Sequence, residues 1–369
     1  MIYSFWGVFT AFDQKFYDID VNERIDSNNT TKQIVKIKSN TQQFQAFAQL
    51  KYKLSDKAVI IGGLHSNYLA LNNSSAIEPR ISYNQKIGKA HNISLAYGLN
   101  SQTLAIGSYY TKIYNPRGNY YEDNMNLKMI KSHHFVLAYD VIFLKNYNIK
   151  LEPYFQYIYD APVSSDTSST LYLLNERKGF AEEKMVSNGE GMNYGLDFSF
   201  EKYYTKNWFL MINASVFSSR YKTNNKWYST HQDSRFGTST IVGKEFIFKK
   251  NNSSIELGMR IQYSGGFRYT PTDSLASLIQ KKIITIDGDD TYTKTLKNYF
   301  RPDLRIAYKQ NKKKLSWSVS LDIVNFANYK NILRPFYDRE TSALGFRYQS
   351  GLTPVLAFQI DFYKKTNNK

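Results

Sequence analysis

The segment LSWSVSLDI alternates without a break. Leu315, Trp317, Val319, Leu321 and Ile323 are large and apolar, and Ser316, Ser318, Ser320 and Asp322 between them are small and polar. A period of two sends the two sets to opposite faces of a β-strand. The pattern returns in IELGMRIQY, where Ile255, Leu257, Met259, Ile261 and Tyr263 oppose Glu256, Gly258, Arg260 and Gln262, and again in NYGLDFSFE and NISLAYGLN. No segment carries a comparable helical stripe, so the chain is constrained to an all-β fold.

About 14 such strands are predicted, over residues 2–11, 42–54, 58–69, 77–87, 91–101, 133–143, 148–159, 192–203, 208–218, 238–248, 254–264, 299–309, 314–325 and 354–363. Each is near the ~9 to 11 residues that cross a bilayer when tilted. The links between them alternate. After a long first loop come short turns at SDK (55–57), GKA (88–90), KNYN (145–148), TKN (205–207), KNN (250–252) and NKKK (311–314), with longer links between. This wiring predicts an antiparallel transmembrane β-barrel with short turns on one rim and long loops on the other. Loops around 102–132, 160–191 and 265–298 are too long for a compact soluble domain to leave idle. In the last strand, LAFQIDF, a soluble sandwich would bury Leu356, Phe358, Ile360 and Phe362, whereas a barrel turns them out to lipid and keeps Gln359 and Asp361 inside. The wiring selects the second.

No run of about 18 apolar residues is present, so any membrane crossing must be made by strands. The opening MIYSFWGVFTAF lacks the basic start and small-residue cleavage site of a signal peptide and reads as a strand. Pro79 and Pro153 fall inside predicted strands, where each removes a ladder hydrogen bond, and they are expected to mark bulges or strand boundaries. Phe209, Met211 and Phe217 oppose Trp208, Leu210 and Val216 in NWFLMINASVF, so an inner face there needs something to pack against.

Composition narrows the chemistry. Aromatic residues reach 16% beside a mean hydropathy of -0.49. The absence of Cys removes disulfides, thiolate-bound zinc and cysteine nucleophiles. A net charge of +17 raises nucleic acid as a partner, but the cations cluster in turn-like KKNN and KQNKKK, where solvated turns account for them, so no nucleic acid is expected. Among the five His, the neighbours His133 and His134 point to opposite faces and do not chelate one metal, and lumen or loop positions are expected for them. IDGDDTY brings Asp287, Asp289 and Asp290 near a Gly as a weak Ca²⁺ candidate, without the full calcium-loop spacing; otherwise no metal site is expected. No nucleophile-elbow, zinc-protease, P-loop or dinucleotide motif occurs, so neither a catalytic residue nor a cofactor is assigned, and an enzyme is not expected. Glu78, Arg80, Asp197, Glu201, Arg260, Arg305 and Asp322 lie on polar strand faces. Tyr120, Tyr121, Trp227, Tyr228 and Tyr269 lie in loops, where they could stack on a ligand or pack the loops together.

From about residue 40 onward the chain resembles the barrel of TonB-dependent outer-membrane receptors. The resemblance is carried by SAIEPRISYNQ and LAYGLNSQ, then KSHHFVLAYD, LEPYFQYIYDAPV, GEGMNYGLDFSFEKYY, GGFRYTPTD, NYFRPDLRIAY, WSVSLDIVNFANYKN and GLTPVLAFQIDF, in the family's order. It implies a barrel of 22 strands closed by an N-terminal plug, of which residues 1–369 would be one partial barrel domain without plug or signal peptide. It also implies the outer membrane of a Gram-negative bacterium, contact with its lipid, and energised uptake of a small, scarce solute. The TonB-ExbB-ExbD system would act through the plug. The seven polar-face residues would then line the lumen. The alternative is a passive porin or surface scaffold without a plug.

Overall fold

The computed structural model describes residues 3–24, 31–115 and 117–362. Fourteen antiparallel strands follow one another in a single sheet, each hydrogen-bonded to the next in sequence. They are β1 (Tyr3–Arg24), β2 (Thr31–Lys53), β3 (Ala58–Leu69), β4 (Ser74–Ile87), β5 (His91–Gln102), β6 (Ile130–Phe143), β7 (Tyr147–Ser164), β8 (Met185–Thr205), β9 (Trp208–Thr223), β10 (Phe236–Phe248), β11 (Ser253–Ser264), β12 (Tyr299–Asn311), β13 (Leu315–Val324) and β14 (Thr353–Phe362). A short strand, Lys226–Ser229, pairs with the end of β9. Among the described residues β1 and β14 each have one ladder partner, so the sheet is an open wall.

Every predicted strand is present. Ile2 and Tyr363, at the outer ends of the first and last predicted strands, lie outside the described residues. The largest departure is in the first loop, expected over 12–41. Instead β1 runs 22 residues and β2 runs 23, paired from Tyr3↔Tyr52 to Arg24↔Thr31 with two register shifts. Polar runs, DQK (13–15) in β1 and KSNTQQ (38–43) in β2, interrupt the period of two there although the backbone stays extended.

The proline expectation is corrected. Pro153 sits inside β7 with no change of register: Val136↔Tyr154 and Tyr139↔Leu151 belong to one frame, and the pairs between them are simply unmade. Pro79 pairs with Leu64 in an unbroken β3–β4 ladder, at the point where β4 and β5 part company above Arg80↔Gly98. A proline without its N–H is tolerated where the neighbour on that side makes no ladder bond.

Cross-strand registers carry one polar and one apolar face through the whole wall. The apolar face has two belts of stacked rings. One holds Phe9, Phe44 and Tyr68, and His133 between Tyr97 and Tyr159; the other holds Phe143, Tyr147 and Phe200, and Tyr308 beside Trp317 and Phe358. Along β6 the belts are the span His133 to Phe143 apart, about 33 Å of strand or about 25 Å of height at a 40° tilt, which is the apolar band of an outer-membrane barrel. Leu356, Phe358, Ile360 and Phe362 fall on this face and Gln359 and Asp361 on the other. His133 and His91, the latter bonded to Tyr139, sit in the belts, a correction to their expected lumen or loop positions.

The six short turns join β2–β3, β4–β5, β6–β7, β8–β9, β10–β11 and β12–β13, so they share one rim, as the wiring predicted. At the other rim the long loops fold over the polar face. Leu69, Ala76, Ile130 and Tyr221 at the loop-side ends of strands pack with Leu104, Tyr109, Leu127, Tyr172 and Leu173 from the loops, making a buried cap. That packing marks the polar face as the inner one.

Candidate functional site

All seven predicted lumen residues lie on the polar face, spread along it rather than gathered at one point. Glu78 is the most enclosed, with 1% of its surface exposed. Its Oε1 accepts from the Ser101 backbone N–H (3.0 Å) and hydroxyl (2.5 Å), and its Oε2 lies 2.8 Å from Arg80 and 2.9 Å from His65. The carboxylate thus replaces the ladder where β4 and β5 separate beside Pro79. Arg80 stands opposite Gly63 on one side and Gly98 on the other, and its stem lies over Gly98. Asp197 accepts from Ser215 (2.5 Å), Arg305 holds Asp322 at 2.8 Å, and Arg260 faces Asp303 across the ladder. Glu201 faces Met211. Pairing of this kind offsets the cost of placing charge on a half-buried wall.

The inner aromatic residues find their packing within the wall. Phe209 is directly opposite Gly243 and covers it, and Phe217 is opposite Gly195, where Tyr154 also leans in. Glycine leaves the room that the ring fills.

Above the wall, the cap encloses two adjoining cavities of about 550 and 770 Å³ that share Leu171, Glu176, His231 and Tyr292. The smaller is lined by hydroxyl-bearing Ser168, Ser169, Thr170, Thr285 and Tyr269, together with Glu183 and Asp287. The larger is lined by Arg177, Lys178, Arg334 and Arg347. Burial pushes the Glu176 carboxyl up and the His231 imidazole down, each toward its neutral form. Burial also raises Tyr292, to about 12. Glu183 buries its Oε2 with no partner among the described residues.

Asp233, fully buried, ties the loops together: it accepts from the Ser219 N–H (2.9 Å), Arg268 (3.0 Å) and Arg235 (3.1 Å), while His231 Nδ1 donates to the Arg268 carbonyl at 2.6 Å. Beside it Tyr172, Tyr221 and Tyr228 stack at 4.7 and 5.5 Å. Of the predicted loop aromatics, Tyr269 lines the smaller cavity and Tyr228 is buried in this stack, where it packs the loops together. Tyr120 and Tyr121 are exposed on the hairpin Ile113–Tyr114/Tyr120–Tyr121, and Trp227 sits under Arg220 at 6.0 Å. Of the calcium candidates, Asp289 pairs with Lys226 and Asp287 accepts from Thr285, and no cluster of three or more metal-ligating side chains occurs among the described residues. The cavity residues Glu176, Glu183, His231, Tyr292, Arg334 and Arg347 carry no periodic signal in the sequence, and only their convergence from four loops marks them.

No family model and no curated protein matches the sequence. Solved structures do. The fold is similar to the outer membrane transporter YddB from Escherichia coli (12% identity, TM-score 0.60, 96% of this chain and 50% of that one) and to the ferric yersiniabactin uptake receptor FyuA from Yersinia pestis (12%, 0.62, 98% and 51%). It is likewise similar to the copper transporter OprC (11%, 0.62, 98% and 54%). The chain has the fold of a TonB-dependent receptor barrel, as its sequence motifs implied, and spans about half the length of the structures it matches.

Proposed function

We propose that this chain forms part of the wall of an outer-membrane uptake receptor in a Gram-negative bacterium. The carrying observation is the division of labour in the sheet. An apolar face between two aromatic belts suits contact with lipid, while loops folded over the polar face leave a walled vestibule above a hydrogen-bonded lumen. A solute held in the vestibule would pass down a wall on which Glu78, Arg80, Asp197, Arg305 and Asp322 already have partners, so these groups would not hold it tightly. In this reading the TonB-ExbB-ExbD system acts on a plug outside these strands, and the energy it supplies sets the solute free. The lumen residues other than the buried Glu78, together with Tyr269, would be solute-facing.

The orientation is tested by single cysteines in intact cells. Asn225→Cys, on the loop rim, should label with an impermeant reagent, and Asn252→Cys, on the turn rim, should resist. The reverse pattern would invert the topology, and equal labelling would remove the membrane barrel. Solute uptake that persists without TonB would favour a passive porin.

A further inference from the structure

We propose that the loop vestibule takes a solute bearing two or more negative charges, clamped by Arg334 and Arg347. The inference rests on the uptake reading and adds the chemical class of what is bound.

The two arginines belong to the hairpin Ile332–Asp338/Ala343–Tyr348 in the last long loop, and they are direct cross-strand partners. Like charges in that position repel. Neither has a carboxylate partner among the described residues; Arg347 instead lies over the Phe336 ring at 5.4 Å. Both line the larger cavity, as does Arg177, which also has no ion pair among the described residues.

Little negative charge in that cavity answers them. Glu182 is held by Lys32 at 2.6 Å, and burial pushes Glu176 toward its neutral form. The cavity therefore carries a surplus of positive charge in a space of drug-like size. Two guanidinium forks on one face of a hairpin suit carboxylate or phosphate oxygens, which each fork can bind through two parallel N–H donors. The adjoining cavity offers hydroxyls and the unpartnered Glu183 Oε2 to the donors of the solute's uncharged body. Solvent and the Phe336 ring moderate the Arg334–Arg347 repulsion, and a bound polyanion would turn what remains into attraction.

The test uses outer-membrane fractions from cells making the whole receptor to which these strands belong, with radiolabelled citrate and pyrophosphate as carboxylate and phosphate probes and glucose as the neutral control. Both polyanions should be retained over membranes lacking the protein, with the tighter one naming the source of charge. Arg334→Gln with Arg347→Gln should weaken retention by roughly tenfold or more. Lys249→Gln with Lys250→Gln, the same charge change on the turn rim, should leave it unaltered. Unaltered retention in the double variant at equal protein level, equal retention of glucose, or no retention of either polyanion would overturn the proposal. Surface labelling of Asn225→Cys on the intact cells from which the fractions are made separates the two readings. If it labels while the polyanions are not retained, the anion proposal alone falls; if it does not label, both fall.

Discussion

Glu78 shows what one side chain must do where a barrel wall parts. The β4–β5 ladder ends beside Pro79, and the carboxylate takes up the Ser101 N–H and hydroxyl that a strand would have held. Glu78→Ala leaves that donor, Arg80 and His65 unanswered. We expect a loss of about 2 to 3 kcal/mol, below the full figure for a buried pair because Arg80 is half exposed, read as a lower thermal midpoint of the assembled protein. Two glycines make a second, paired prediction. A Cβ at Gly195 would meet the Val216 carbonyl at 2.6 Å, and backbone does not yield; a Cβ at Gly243 would meet the Phe209 ring, which turns aside. Gly195→Ala should therefore cost more than Gly243→Ala, with about 1 to 3 kcal/mol for overpacking as the scale. A comparable midpoint for the two variants would show that the ring is as immovable as the carbonyl. At this scale the sequence disclosed which face each polar residue takes, because parity fixes it. It did not disclose that Glu78 meets Ser101 or that Asp233 meets Arg268, since these contacts depend on where strands diverge and loops fold back.

Strands were legible because their period of two is set by backbone geometry and survives any tertiary context. The upper halves of β1 and β2 were not, because the polar runs DQK and KSNTQQ cut their alternation into pieces too short to read as one strand. The cap lacks any period, yet it holds a core of its own. Tyr172→Ala removes the outer ring of the three-tyrosine stack and should cost about 3 kcal/mol locally. Limited proteolysis should then cut within residues 165–184 while the strands stay intact; cleavage of wall and cap together would deny the cap its independence. The cap also carries a pH signature. The buried His231 imidazole has its folded pKa lowered below 6.5, so the native cap binds fewer protons than the unfolded chain. Its contribution is complete above 6.5 and is lost as pH falls through the folded value. Glu176 runs the other way: its raised pKa favours the cap below 4.5 and weakens it as pH rises through the folded value. Cap protease sensitivity should thus rise on acidification just below 6.5, and His231→Gln should flatten that rise.

Among the described residues the wall ends in two strands with one partner each. β1 exposes Phe5, Trp6, Val8 and Phe9, and β14 exposes Leu356, Phe358 and Phe362, each beside a row of ladder groups that lipid cannot satisfy. The 369-residue chain expressed by itself should therefore give no heat-modifiable, protease-resistant barrel after refolding into detergent. A heat-dependent change in gel migration with discrete bilayer channels would show that these strands close alone, and would bring the passive pore forward. The long pairing of β1 with β2 reaches beyond the membrane altogether. A crossing uses about 10 residues, and the remaining dozen, at about 3.3 Å each and tilted near 40°, rise roughly 30 Å above the bilayer. Over that height Ile34, Val35 and Ile37 lie buried against Ile106, Tyr110 and Phe180 of the loops, so in the uptake reading the two long strands are a buttress for the cap, and a molecule arriving from outside meets protein well before it reaches the lipid surface.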